Sequence, residues 1–405
     1  MRTCAILLVV LSFTLLSACS GGGSGGSGGA NNPSPPPPPP ATQAPQLGTG
    51  DHTPSSVTLT TISASGLAVS QPTDLAFSPV NAAELWIISP GSMSTMMDDS
   101  FVIIDNVLAG TLTGERIDDS NDGNFGHFAM NSSGIAFGTQ TSSAGNGWVF
   151  ATSQDETRAG DDFMGPTLWP ADRTVIGHYP PGYDLGLGSH LDMLHSTRYG
   201  KGITHEAGNV FWTLGEAYYT VKAGTPKNCL SRYDFNTDHT PGKDYHGDGE
   251  KWHYAEGLID TLNNVPAHLY YHAPTQMLYA ADTGNSRIVR LDTNSGGTPQ
   301  ALTAPAQVHT GDGVEWKVPG ATLTDVVPAS SGYLTSPCGL EFYNNMLFVS
   351  DYATGIIHAF DLAGTRLNWI DTGLGAGAVT GLAFGPDGKL YFCDQLNDRI
   401  VRLNP

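Results

Sequence analysis

The sequence predicts an all-β fold, a six-bladed β-propeller, on three observations. Fifty Gly and 27 Pro among 405 residues interrupt helix interiors too often for a mainly helical protein. A short grammar of β-branched and aromatic runs recurs six times, with units starting near residues 72, 132, 200, 266, 337 and 379. The last unit stops at its third strand, while the early strand 57–62 has no partner of its own. Pairing these two completes a sheet and closes the ring, which removes the open edges of a linear stack.

Composition narrows the function classes. There are 18 Lys+Arg against 38 Asp+Glu, a formal charge of −20. A surface this acidic repels phosphate backbones, so nucleic acid is not an expected partner. Five Cys exclude a disulfide-dense scaffold.

The first 50 residues read as targeting and tether. Arg2 precedes an apolar run from Ala5 to Leu16, which is too short to span a bilayer and has the length of a signal-peptide core. It ends in Leu16-Ser17-Ala18-Cys19, which resembles the bacterial lipobox. The resemblance implies that residues 1–19 form a lipoprotein signal sequence and that Cys19 is lipidated. With Ser20 following, it also implies sorting to the outer membrane of the cell envelope. Residues 20–50 form the tether: SGGGSGGSGG is a flexible coil composition, and Pro35 to Pro40 favour a stiff polyproline II rod. The propeller is expected over residues 51–405.

Each unit offers a short strand, a turn, a second strand, a loop and a third strand. In the last unit Val379-Thr380-Gly381-Leu382-Ala383-Phe384 precedes the turn Pro386-Asp387-Gly388; Leu390 to Asp394 and Arg399 to Leu403 then follow. Pro337-Cys338-Gly339-Leu340-Glu341-Phe342 with Met346 to Asp351 repeats the grammar, as does Pro266-Ala267-His268-Leu269-Tyr270-Tyr271 with Met277 to Asp282 and Asn285-Ser286-Arg287-Ile288. Units one to three match more loosely, through Pro72 to Phe77, Gly134 to Phe137 and Gly202 to His205. Segments 155–200 and 293–335 are long enough to hold further strands. The pattern Pro-x-Gly-Leu-Ala-Phe, Leu-Tyr-Val-x-Asp and Asn-x-Arg-Ile resembles the NHL repeat over most of residues 66–405.

In propellers of this type the inner strands start at the top face and the second strands end there. That mapping brings Asp74, Lys201, His268, Cys338 and Thr380 to the channel mouth from strand starts. From the second strands it brings Glu216, Asp282, Asp351 and Asp394. The acidic residues after the second strands suit either tight-turn chemistry or a bound ligand or cation. Asp74 and His268 stand out because four units carry Gly there: Gly134, Gly202, Gly339 and Gly381. A departure from a repeat marks a place where a site can be grafted.

The resemblance extends distantly to two enzyme families. Peptidyl-hydroxyglycine amidating lyases hold zinc with three His from different blades beside an Arg and a Tyr. His268 occupies a matching position here, with Arg198 and Tyr199 as the corresponding pair, and further His at 190, 195, 205 and 272. Gluconolactonase-type propellers hold calcium through an early Glu with later Asn and Asp; Asp74 stands where that Glu would be. The expected function is therefore binding of a small molecule, peptide or envelope protein at the top of the channel. The alternative is a zinc- or calcium-dependent lyase or lactonase on the same face.

Two acidic loops are further metal candidates. Asp118-Asp119-Ser120-Asn121-Asp122-Gly123 places oxygen donors at alternate positions, as at the start of a calcium loop, or is a solvated loop. Asp238 to Gly249 mixes His239, Asp244, His246 and Asp248, a set suited to zinc or another borderline metal, and is expected to project from the bottom face. The insertion from Asp155 to Gly200 is expected to cover the channel mouth. Cys338 and Cys393 fall near the top of adjacent blades, where an oxidising compartment would permit a disulfide and leave Cys229 free.

Overall fold

The computed structural model describes residues 43–90, 100–118, 129–142, 144–156, 165–178, 188–242, 245–303 and 311–405. Residues 1–42, with the apolar run, Cys19 and the Pro run, lie outside these ranges. No helix of the described residues is long and apolar enough to cross a membrane.

Small antiparallel sheets stand around a common axis. The chain opens with β1 (Thr58–Ile62) and builds a first blade from β2 (Asp74–Phe77), β3 (Leu85–Ser89), β4 (Ser100–Asp105) and β5 (Thr113–Asp118). A second blade follows: β6 (Ser132–Gln140), β7 (Trp148–Gln154), β8 (Thr167–Pro170) and β9 (Asp192–Met193). The third unit contains β10 (Thr197–Arg198), β11 (Ile203–Ala207), β12 (Val210–Ala217), β13 (Asn228–Asp234) and β14 (Glu250–Tyr254). The fourth runs through β15 (Leu269–His272), β16 (Met277–Asp282) and β17 (Arg287–Asp292). The chain then leaves it for β18 (Gln300–Leu302) and β19 (Val314–Lys317) and returns as its outer strand β20 (Leu323–Val327). A further blade holds β21 (Pro337–Tyr343), β22 (Met346–Asp351), β23 (Ile356–Asp361) and β24 (Arg366–Asp371); the last holds β25 (Val379–Phe384), β26 (Leu390–Asp394) and β27 (Arg399–Asn404).

Ring closure follows the sequence expectation. β1 pairs antiparallel with β27, from Thr58 opposite Asn404 to Ile62 opposite Ile400. The expectation of six like blades is corrected: five sheets are regular four-stranded blades, and the third unit is a seven-stranded mixed sheet. Its extra width is borrowed. β19 lies parallel to β14, with Lys251 opposite Glu315, and β18 adds beyond it. The polar side chains of this join are buried, which ties segment 311–317 to the third unit rather than to the fourth.

Two further boundaries move. The folded body begins before residue 51, because Ala44 and Leu47 are buried against the last two blades and Asn368 Nδ2 donates to the carbonyls of Ala44 and Gly48. The insertion 155–200, expected to cover the channel mouth, in its described part supplies the outer strands β8 and β9 of the second blade. Trp169 of β8 packs against Phe101 and Phe150, and the Arg173 guanidinium pairs with Asp105 and Glu115 of the first blade.

The core lies between neighbouring sheets. Trp86, Ile88, Phe101, Phe150 and Trp169 fill the junction of the first two blades, and equivalent apolar clusters fill the others. The repeated Asp and Arg positions are structural. Asp282 accepts from Asp260 N, Asn285 Nδ2 and Arg287 Nε; Asp394 accepts from Asn397 and Arg399 Nε. One carboxylate thus locks the loop to the third strand that follows it.

Candidate functional site

Six strand segments line the axis: β2, β6, β11, β15, β21 and β25. They enclose a cavity of about 510 Å³. Where these strands begin, bonds link each one to the next around the ring. Thr73 Oγ1 donates to Ser132 O, Ser133 Oγ to Gly200 O, Ala267 N to Lys201 O, and His268 N to Cys338 O. Ser350 Oγ donates to Thr380 O, and Gly381 N to Thr73 O. The repeat glycines permit this approach: a Cβ on Gly381 would lie 2.6 Å from Asp74 Cα, and one on Gly202 would lie 2.9 Å from His268 Cα.

This belt narrows the top of the channel. Among the described residues, a pocket of about 50 Å³ lies there, lined by Thr73, Asn131, Asp155 and Gln395. The chamber of about 510 Å³ runs from Asp74 and His268, at the strand starts, toward the strand ends. Its lining changes along the axis. Asp74 and His268 form the buried inner end, and partly exposed Phe77, Phe137, Tyr271 and Phe384 stand toward the strand ends.

Asp74 and His268 meet as the repeat mapping requires. His268 Nδ1 is 3.5 Å from Asp74 Oδ1, and His268 Nε2 is 3.2 Å from Ser133 O. A carbonyl only accepts, so Nε2 carries a proton. Asp74 accepts from Leu75 N and from Ile135 N of the next blade, both at 2.9 Å. Burial pushes its carboxyl above the usual range despite the nearby His268. Glu341 also lines the chamber; burial and then the Asp74 charge push its carboxyl up to about 8. Glu206 is occupied by Arg232 and by the Trp212 indole. No Lys or Arg lines the chamber among the described residues.

Glu341 was overlooked in the sequence, yet the same signal marks it. Units one, two and six place Ala76, Ala136 and Ala383 at the position where Glu341 stands in its inner strand.

The other expected site residues are placed elsewhere. Asp351, like Asp282 and Asp394, spends its oxygens on a turn, accepting from Thr335, Ser336, Ala353 and Thr354. These three side chains are corrected from binding to structural roles. Lys201 is buried and donates to Asp155 at 2.6 Å. Arg198 pairs with Glu216 and stacks over Tyr199, and none of the three lines the chamber. Asp118 ends β5 in a pair with Arg116 at 2.8 Å, away from any ligand cluster among the described residues; Asp122 lies outside those residues. Cys338 and Cys393 are both free and buried, so the expected disulfide is corrected. The Cys338 thiol is engaged by Ser350 Oγ and Val379 O instead.

The axial pair does not make the three-His zinc site or the calcium site that the family resemblances imply. Among the described residues no third His, Cys or carboxylate ligand atom gathers with this pair at metal-sharing distance. The His/Asp loop behaves differently. It does not project freely: His239 N donates to Leu191 O and Gly242 N to His190 O, seating it on the second blade. His239, His246 and Asp248 thereby meet Asp192 of β9, a residue that the sequence reading did not select. Asp244 lies outside the described residues.

No family model matches the chain, and no curated protein matches it. Similar solved structures include an auxiliary nutrient binding protein from Bacteroides ovatus, 13% identical, with a TM-score of 0.49 and coverage of 86% of this chain and 76% of that one. A gluconolactonase from Xanthomonas campestris is 14% identical, with a TM-score of 0.46 and coverage of 86% and 90%. A luciferin-regenerating enzyme is 11% identical, with a TM-score of 0.44 and coverage of 86% and 95%.

Proposed function

We propose that this protein is a lipid-anchored, NHL-type propeller of the bacterial envelope that binds a small neutral or cationic molecule in its axial chamber. One observation carries the reading: a cavity of about 510 Å³ has carboxyl groups and an imidazole at one end, aromatic rings toward the other, and no Lys or Arg in its described lining. Such a lining disfavours anions through uncompensated repulsion and burial. Hydroxyl or ammonium donors find acceptors at Asp74 and Glu341, and the rings receive an apolar or cationic face. The Cys19 lipid and the tether would hold the body near the outer membrane, within reach of small molecules released there; an envelope protein or peptide remains the alternative partner.

The test is calorimetric titration of the full chain with choline, D-glucose, D-glucono-1,5-lactone and benzoate. Saturable binding of a neutral or cationic probe, weakened about tenfold or more by His268→Ala and Glu341→Gln, supports the reading. Binding of benzoate alone, or binding indifferent to both substitutions, sinks it.

A second reading is hydrolysis of a cyclic ester in the same chamber. It is favoured by Glu341, a carboxyl held near 8 and hence able to give or take a proton at neutral pH. Turnover of the gluconolactone probe, abolished by Glu341→Gln, would establish it.

A further inference from the structure

We propose that Asp192, His239 and Asp248 bind one divalent transition-metal ion of the zinc type at the junction of the second blade and the third unit. The three ligand atoms lie within 4.8 Å of one another. His239 Nε2 is 3.0 Å from Asp248 Oδ1 and 4.0 Å from Asp192 Oδ2. The second distance is too long for a hydrogen bond and exceeds the roughly 3.3 Å between tetrahedral ligands about 2 Å from one ion, so the two side chains close in by less than about 1 Å when the ion binds.

The independent observation is Asp192 itself. Its side chain is fully buried, and Oδ2 has no hydrogen-bond partner among the described residues. A buried acceptor left unmade is costly, and a cation between it and His239 supplies what the protein does not. The surroundings aim the donors. Asp192 Oδ1 accepts from Met193 N at 2.7 Å and from His246 Nδ1 at 3.2 Å, which turns Oδ2 toward His239. Asp248 Oδ2 accepts from Thr237 N at 3.4 Å, and the His239 backbone is tied to Leu191 O. Outer partners of this kind fix ligand orientation at metal centres.

The donor set selects the metal class. One imidazole and two carboxylates suit zinc or a similar borderline ion, whereas calcium takes six to eight oxygens. On binding, the ion takes the place of the proton that His239 Nε2 would otherwise share with Asp248. Three protein ligands leave a fourth position for water. The ion would join His239 and Asp248 of the third unit to β9 of the neighbouring blade.

The full chain, stripped with chelator and dialysed, is titrated with Co²⁺ and followed by visible absorption. One equivalent with the intensity of a four-coordinate ion is expected, displaced by Zn²⁺ and not by Ca²⁺. His239→Gln and Asp192→Asn should each weaken cobalt binding at least tenfold and abolish the zinc-dependent rise in Tm. Asp118→Asn, on another sheet, should leave both unchanged. If Asp192→Asn fails to fold, His239→Gln, whose ring is partly exposed, decides alone. Absence of stoichiometric binding, preference for Ca²⁺, or binding unchanged in His239→Gln overturns the proposal.

Discussion

His268 Nδ1 stands 3.5 Å from Asp74 Oδ1 across the channel axis, although their strands β15 and β2 belong to sheets that do not adjoin. The contact exists because the ring is closed. Asp74 also crosses to Ile135 N, so it serves both as a blade-to-blade tie and as the inner wall of the chamber. Asp74→Ala leaves the Leu75 and Ile135 N–H groups without that acceptor and should cost about 1–3 kcal/mol. Asp74→Asn retains an acceptor oxygen and should cost less. Chemical denaturation of both variants checks the order; equal losses would mean that the tie contributes nothing.

The Glu341 carboxyl gives a pH signature. Its folded-state value, raised to about 8, means that the native protein binds more protons than the unfolded chain above the ordinary Glu range. This contribution favours folding least at high pH: stability should fall as pH rises from about 4.5 through about 8. Asp74, also raised, acts in the same direction. Thermal melts across that window should show a shallower decline for Glu341→Gln than for the natural chain. A parallel decline would remove Glu341 from the account.

The ring was legible from residues because repetition itself is a physical signal: β1 closing on β27 followed from one missing strand and one spare strand. The axial pair was legible as two breaks in a run of glycines. Other features lacked a local signal. Asp192 joins His239 only after the loop folds back onto β9, and no spacing records that return. β19 leaves its own unit because Lys251 and His253 of β14 attract its Glu315, a three-dimensional pairing of charges rather than a periodicity.

The glycine positions predict their own intolerance. A Cβ on Gly381 would fall 2.6 Å from Asp74 Cα and 2.9 Å from Thr73 O, so Gly381→Ala must push the last blade away from the first. Overpacking of this kind costs about 1–3 kcal/mol. Gly110→Ala meets nothing within 4 Å and should stay within about 0.5 kcal/mol of the parent. Comparing their denaturation midpoints tests whether the inner belt is tight.

The body should carry three protonated, unreactive thiols. Cys229, Cys338 and Cys393 are buried, and burial pushes the first two up to about 12. A thiol reagent should label none of them in the native state at pH 8 and all three after denaturation without reductant. Recovery of only one would show that Cys338 and Cys393 had joined.

Lys251 is the clasp of the enlarged third sheet. Its ammonium, fully buried, lies 2.6 Å from Asp312 and 3.4 Å from Glu315, donates to Ser196 Oγ at 2.9 Å, and has its proton held more tightly than usual despite burial. His253 adds a contact to Glu315 at 2.7 Å. Burial alone would raise the Glu315 carboxyl, yet Lys251 and His253 hold it below its ordinary value. That contribution is present above about pH 4.5 and is lost as pH falls through the lowered folded value. Lys251→Met removes the ammonium from this group and leaves two buried carboxyls beside His195, His253 and Ser196 with no Lys between them, which should cost about 3–5 kcal/mol. In the variant the sign of the Glu315 contribution should reverse: without the ammonium, burial raises its carboxyl, so stability is lost as pH rises above about 4.5 instead of as pH falls. Hydrogen exchange gives the local readout: amides of β18 and β19 should lose protection before those of β12 and β13. Uniform loss across the sheet would mean that Lys251 supports the whole unit rather than the borrowed strands.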